Sequence, residues 1–488
     1  MVFQWDKLLC SDTLVEKEKT PSSWVDYPID PFERDYREIV SSVSFRHLQD
    51  KAQIYELDRG DFVRTRLTHS LEVSTIAKQL GIMLLYNNKW NDIPAFGNLS
   101  PEQKRSVPTV LACAGLLHDM GNPPYGHEGE ATIGLWFSDH FKRDDFEFNG
   151  TPIREFFNEQ MRYDFMNFEG NAQVIRLLGK SRFESDEPEA NVSYATLSTL
   201  LKYPVSAAEM DKNNSDLRVH KFGYYYSEKN LVKEIRERTG MNLENEPHAR
   251  NPLTYLLEAA DDIAYVTADI EDALSKKTVS IHQLVSFMTK KINALPEEGS
   301  EMHQLQVITA EGILNNLNMR LDKCEDQGHI ARIAAVHSWT SYVRNWLMYV
   351  AATSFVENCE AIMNGTYQDD LLENSYHKYT IKILKSEMYT NVYPNLIDDH
   401  LSAFRVIGDY LDRFANAVIY WDTPRGINHI EENYMALIPK KLKNDYYNEK
   451  TDDENINLYL RFRMILDYLG SLTDSASYDL YKRLNAIQ

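Results

Sequence analysis

Two adjacent ionisable residues, His118 and Asp119, close an otherwise apolar run in AGLLHDMGNPPYGHEGE. Burying such groups is costly unless something pairs with them, and a metal ion would be that partner. Two further places offer ligands of the same kind: His69 in RTRLTHSLEV and the Asp261–Asp262 pair in LLEAADDIAYVTADIEDAL. Imidazole and carboxylate form a mixed nitrogen and oxygen set suited to a divalent transition metal. Four such groups leave coordination positions open for water and substrate, as a hydrolase needs. Taken singly, a histidine beside a helix is more often a satisfied polar residue than a ligand, so the weight rests on the combination.

Two patterns stand beside these ligands. Asp261, Tyr265 and Asp269 recur every four residues, so a carboxylate, a phenol and a second carboxylate line one helical face. That face suits a metal at one end and a sugar hydroxyl beyond it. The bland alternative is a solvated acidic face, because Glu258, Asp262, Glu271 and Asp272 are close by in sequence. The second pattern is His127 with Glu130, three apart, in which the carboxylate can orient the imidazole and raise its pKa. Such a pair does acid–base work, although Glu at a helix start also serves the dipole.

Helices must position these groups. Helical periodicity dominates from about residue 35, and alternating strand-like runs are few, so the fold class is mainly α. Residues 35–85 read as helix, short loop, helix, with a polar break at 58–61. Val107 to Asp119 reads as an apolar helix stopped by Gly121-Asn-Pro-Pro124. Asn251-Pro252 is a cap followed by proline at the first helical position, and the run extends to about Lys276 with Leu256, Ile263, Val266, Ile270 and Ala273 facing a core. Residues 136–168 and 181–191 are expected as insertions. The working division is an N-terminal extension over 1–34, a catalytic core over 35–280 and a helical C-terminal half over 281–488, broken near Asp422–Gly426.

Composition restricts the function classes. A chain of 488 residues with 43% apolar and 11% aromatic residues has material for a sizeable core. Its charge, 52 − 73 = −21, argues against a protein built to coat nucleic acid, so binding to single-stranded nucleic acid has no support here. An anionic ligand would have to be met by a local cluster of Lys, Arg and metal. Cys10, Cys113, Cys324 and Cys359 are scattered without zinc or redox spacing, as expected of a reducing, cytoplasmic compartment. No signal-peptide pattern or membrane-length apolar run occurs, so no membrane partner is expected.

A longer ordered set of motifs carries a resemblance: FRHLQDKAQIYEL (45–57), VRTRLTHSLEV (63–73), HDMGNPPYGHEGEA (118–131), FEGNAQ (168–173), LKYP (201–204), FGYYYSEK (222–229), EAADDIAYVTADIEDA (258–273) and YLRFRMILDYLGSLTD (459–474). It resembles the HD-domain deoxynucleoside triphosphate triphosphohydrolases, in particular the long bacterial dGTPases. The resemblance implies an HD-type helical core with His69, His118, Asp119 and Asp261 as metal ligands. Asp261 is taken over Asp262 because it precedes Tyr265 by four. It further implies His127 as the acid–base residue oriented by Glu130. Arg66, Lys202, Tyr203 and Lys221 would lie at the triphosphate with Asn171 near them, Gln53 against the nucleoside, Tyr265 under the sugar and Asp269 on its 3′-hydroxyl.

The implied reaction is hydrolysis of dGTP, or of other dNTPs, to deoxynucleoside and tripolyphosphate, contributing to control of dNTP pools. The ligand set accepts Mn, Mg, Fe or Co. A homo-oligomer, commonly a hexamer, and in some relatives a nucleotide effector also belong to the resemblance. The rival readings are an HD phosphohydrolase of nucleoside monophosphates or cyclic nucleotides, and a non-catalytic nucleotide sensor. The acidic 181–191 segment and DTPRGINHIEENY (422–434) depart from the family pattern.

Overall fold

The computed structural model describes residues 3–15, 30–54, 63–90, 93–97, 99–180, 190–295, 301–391 and 397–487. Polar caps decide where the helices begin. α1 (Pro31–Ser41) starts on Asp30, whose carboxylate accepts from Phe32 N at 2.9 Å. α2 (Arg66–Tyr86) starts on a reciprocal Thr65–Thr68 capping box, and α3 (Pro101–Leu117) on Ser100 with Gln103 and a first-turn proline. The expected start of α3 at Val107 lies inside the observed helix. Apolar periodicity marks only the buried stretch, whereas the Ser100 cap upstream sets the boundary, and Pro108 is accommodated within it at the loss of one backbone bond.

Further along come α4 (Gly126–His140), α5 (Gly170–Gly179), α6 (Tyr194–Leu200) and α7 (Pro252–Ser275). α7 begins on Asn251 as expected, its Oδ1 accepting from Leu253 N at 3.0 Å. α8 (Ile281–Asn293), α9 (Gly328–Glu357), α10 (Lys378–Asn391), α11 (Ile397–Tyr420) and α12 (Glu454–Ser471) follow. Among the described residues the strands form one short antiparallel hairpin, Glu147–Phe148 against Thr151–Pro152. The chain is mainly α. The polar break expected at 58–61 and residues 181–189 of the expected acidic insertion lie outside the described residues.

Two apolar cores organise these helices. The first gathers α1, α2, α3, α6 and α7 with α8, α9 and part of α10. The second joins the Phe-rich 136–168 stretch to α11 and α12, with Phe137, Phe157 and Phe165 packed against Tyr459 and Phe462. The 136–168 stretch, expected as an excursion, is therefore half of a core. Its Asp and Asn residues make turns, but its aromatics are completed by helices some 250 residues later, a partner no local pattern reveals. α2 and α3 approach closely at Gly115, where a Cβ would lie 2.6 Å from Ser74 Cα. That contact sets the two histidine-bearing helices side by side. Among the described residues no helix is long and apolar enough to cross a membrane.

Candidate functional site

Three helices converge on the HD pair. His69 lies in the first turns of α2, His118 caps the end of α3 with Asp119 next to it, and Asp261 stands midway along α7. His69 Nε2 is 3.1 Å and His118 Nε2 3.3 Å from the same Asp261 Oδ1. Ligand atoms of His69, His118 and Asp119 fall within 4.8 Å of one another. Both imidazoles are buried, while Asp119 and Asp261 keep partial access to solvent. The structure thus brings together the four residues singled out in the sequence.

The donor chemistry fits a divalent ion. His118 Nδ1 bonds to Gly115 O at 2.8 Å, the outer hydrogen bond that fixes a tautomer and leaves Nε2 as the lone-pair atom facing the carboxylates. Asn122 Nδ2 donates to Asp119 Oδ1 at 2.7 Å. Burial would raise the Asp119 carboxyl, but Arg66 and the two imidazoles outweigh it and hold it well below the usual range. Burial of Asp261 is likewise overcome, chiefly by Lys202 and His118. Both carboxylates are therefore ionised at neutral pH, as ligation of a cation requires.

Cations flank these acids. Arg66 Nη1 donates to Asp119 Oδ2 at 2.7 Å, and Lys202 Nζ to Asp261 Oδ2 at 3.1 Å. Burial would lower the Lys202 ammonium, but Asp261 and Glu258 reverse this and raise it. Arg66 is seated against Gly126, where φ is +52° and a Cβ would lie 2.4 Å from Nη2, so glycine answers both demands. Beside Asp261, Lys202, Tyr203, Arg250 and Glu258 line a cavity of about 280 Å³, with Arg250 over the Tyr203 ring.

At the start of α4, His127 Nδ1 meets Glu130 Oε2 at 2.8 Å, and Glu130 Oε1 accepts from Gly170 N at 2.7 Å. Glu130 thereby ties the imidazole to α5. The His127 side chain is 76% exposed and its partner 10%, so the ring is anchored at one nitrogen and accessible at the other. The hydrogen bond and charge of Glu130 raise the His127 pKa. Asn171 and Lys221 both bond to Glu169, at 2.6 Å and 3.0 Å.

Along α7, Tyr265 is half-buried and Asp269 is 1% exposed. Burial, then Asp272, pushes the Asp269 carboxyl well up, and its Oδ2 has no hydrogen-bond partner among the described residues. The solvated-face alternative fails at this end of the helix, since Glu271 and Asp272 are also buried and are gripped by Arg64. Gln53 lies in a bend beyond a short turn at Leu48–Asp50 rather than on a helix, and its Oε1 is buried without a hydrogen bond to any described residue. No hydrogen bond joins Gln53 to the other candidates among the described residues.

Sequence reasoning missed several supports. Glu169 sits in FEGNAQ, where the resemblance gives it no role. Lys51 is buried, donating to Asn122 O at 2.6 Å and Gly470 O at 2.7 Å, and Asp474 accepts from Ala52 N and Tyr125 N. Both lie in motifs that the resemblance used, so signal was present, but nothing in one sequence pairs residue 51 with residue 470.

A helical body with a buried His–Asp pair at its centre is the arrangement of an HD-domain protein, and the family model described as HD domain matches residues 66–190. Asp261 lies beyond that window. Over nearly the whole chain, a deoxyguanosinetriphosphate triphosphohydrolase-like protein of Listeria monocytogenes is 37% identical, covering 99% of this chain and 100% of its own. Deoxyguanosinetriphosphate triphosphohydrolases of Yersinia enterocolitica and Yersinia pseudotuberculosis are 30% and 31% identical, each with 94% of both chains covered. The chain belongs to the HD-domain deoxyguanosinetriphosphate triphosphohydrolase family.

Proposed function

We propose that this protein hydrolyses a deoxynucleoside triphosphate at the α-phosphorus, releasing deoxynucleoside and tripolyphosphate, with dGTP the leading substrate. One observation carries the reading: the His69, His118, Asp119 and Asp261 cluster has Arg66 and Lys202 each one hydrogen bond away. Ligand acids and phosphate-seeking cations thus share one site. The names of the Yersinia relatives support the same substrate. Held by those four residues, a divalent ion such as Mn or Mg, or Fe or Co, would supply Lewis-acid polarisation and an activated water.

The chain's own residues account for the rest. Arg66, Lys202 and Lys221 offset charge on the triphosphate, and Tyr203 and Asn171 line its path. An oxygen–phosphorus bond forms from water, the bond from phosphorus to O5′ breaks, and a proton must reach O5′. His127, fixed through Nδ1 by Glu130, donates that proton from Nε2. Tyr265 packs under the deoxyribose, Gln53 lies against the nucleoside, and the unpartnered Asp269 Oδ2 accepts from the 3′-hydroxyl. A 2′-hydroxyl would crowd Tyr265, so GTP should react far more slowly than dGTP.

The test is product identification. Purified protein with Mn²⁺ is incubated with each dNTP separately and then with the mixture, and phosphorus NMR identifies what is released. Tripolyphosphate and deoxynucleoside, fastest from dGTP, are expected. Orthophosphate or pyrophosphate as the first product, or no turnover of any dNTP, would overturn the reading.

A further inference from the structure

Glu169 occupies the N-cap of α5, a position that Ser, Thr, Asp and Asn usually fill. It does cap the helix, with Oε1 accepting from Asn171 N at 3.3 Å, but an aspartate would serve that purpose as well. What the extra methylene adds is reach. Oε1 also accepts from Asn171 Nδ2 at 2.6 Å, and Oε2 lies 3.0 Å from the ammonium of Lys221, 52 residues along the chain. The Glu169 side chain is 9% exposed and that of Lys221 37%, so an enclosed anion holds a cation that keeps one side open to solvent. Burial would lower the Lys221 ammonium, but Glu169 and then Glu130 reverse this and raise it. The backbone at residue 169 is held too. The Tyr225 hydroxyl, from the same loop as Lys221, donates to Glu169 O at 3.1 Å, and Arg463 of α12 lies over the Tyr225 ring at 3.5 Å. Within that loop Gly223 passes so near Tyr203 that a Cβ would lie 2.0 Å from the Tyr203 carbonyl oxygen. The 221–225 loop therefore grips residue 169 by side chain and backbone while resting on the Tyr203 turn.

We propose that Glu169 is a positioning residue that holds the Lys221 ammonium at the triphosphate path before the substrate arrives. The role rests on the phosphate contact proposed above for Lys221, and Glu169 acts through that ammonium rather than on the substrate itself. Lysine carries its charge on a flexible four-carbon stem, so an ammonium already fixed in place loses less freedom when an anion meets it. An ammonium also has three donors, and those that Glu169 leaves free serve the phosphates. The same stretch of chain serves the acid–base pair, because Gly170 N, one residue on, donates to Glu130. Glu169 thus belongs to the phosphate side of a segment whose next amide belongs to the proton side.

Binding of inorganic tripolyphosphate in Mn²⁺ buffer, measured by calorimetry, tests this without any turnover. Glu169→Asp keeps the charge and a favoured cap but stops one methylene short of Lys221. It should weaken tripolyphosphate binding about 10-fold, as should Lys221→Met, and the two together should lose about as much as Lys221→Met alone. Glu169→Gln keeps the reach and an acceptor without the charge, and should fall between, at about 3-fold. Melting temperatures of both Glu169 variants should stay within about 3 °C of the wild type, which a purely structural cap would not allow. With dGTP, KM of Glu169→Asp should rise about 10-fold while kcat falls less than about 3-fold and its alkaline limb stays in place. A disturbed α5 would instead shift that limb, through Gly170 and Glu130. Losses that multiply in the double variant, unweakened binding in Glu169→Asp, or a wild type that binds no tripolyphosphate would overturn the proposal. The expected binding losses in a protein that turns over no dNTP would support the positioning role and overturn the reaction.

Discussion

Asp261 and Asp262 are neighbours of one type, and the fold gives them different work. Asp261 accepts from Lys202 and faces both imidazoles, while Asp262 turns to Lys385 at 2.9 Å, its carboxyl pushed up to about 7 by burial and Asp370. Asp261→Ala should therefore abolish both stoichiometric metal, read by elemental analysis, and turnover, while Asp262→Ala keeps its metal. The reverse outcome would reassign the ligand. The His127–Glu130 pair makes a prediction in pH. Glu130 raises the His127 pKa, so the protonated acid persists to higher pH than an isolated imidazole would allow, and activity falls as pH rises through that raised value. Glu130→Gln removes the charge and should move the alkaline limb of kcat to lower pH, with kcat down about 10–100-fold. His127→Ala should remove that limb while retaining metal. An unmoved limb in Glu130→Gln would dissociate His127 from the acid step.

At the level of helices, the chemistry depends on how closely α2 and α3 pack, since one supplies His69 and the other His118. Gly115 permits that approach, with Ser74 Cα 2.6 Å from where its Cβ would be and Ser74 Oγ donating to Ala112 O. Gly115→Ala should force the two backbones apart, costing about 1–3 kcal/mol in stability and weakening metal binding together. Thermal melts with and without Mn²⁺ check this, and a variant with unchanged metal affinity would refute the link. This scale also shows what one sequence can convey. The face of α7 was legible because its residues follow one helical period from a clear cap at Asn251, and the HD pair because it ends an apolar run. The start of α3 was missed because periodicity reports burial rather than caps. Glu169, Lys51 and Asp474 were missed as supports because their partners are set by tertiary packing.

Across the whole molecule, α12 acts as a strap over the helices that carry the HD site. Asp467 takes hydrogen bonds from Gln173, Arg176 and Lys180, and burial of its carboxylate is overcome by Arg176 and Lys180. Gly470 and Asp474, at its end and just past it, hold Lys51 and Tyr125 on either side of the HD turn. A second tie runs through Asp164, whose Oδ2 accepts from Tyr226 N and the Tyr459 hydroxyl, both at 2.7 Å, so that one carboxyl joins the second core, the segment after Lys221, and α12. Burial pushes this carboxyl up from 3.8 to about 7. The folded state then holds a proton that the unfolded chain releases near pH 4, so stability from this group falls as pH rises from about 4 to 7 and is lowest above that window. The span corresponds to about 4 kcal/mol at most. Asp164→Asn keeps an oxygen for both donors and cannot ionise. Its –NH₂ takes the position where Oδ1 has no partner, a cost of about 1–3 kcal/mol that is the same at every pH. Urea unfolding at pH 5 and pH 8 separates the terms: the wild type should lose about 3 kcal/mol relative to the variant between the two pH values, so that the variant exceeds wild-type stability at pH 8. A constant difference between the two proteins at both pH values would mean that Asp164 is ionised in the native state throughout, and the strap would then hold through a buried charge rather than a neutral acid.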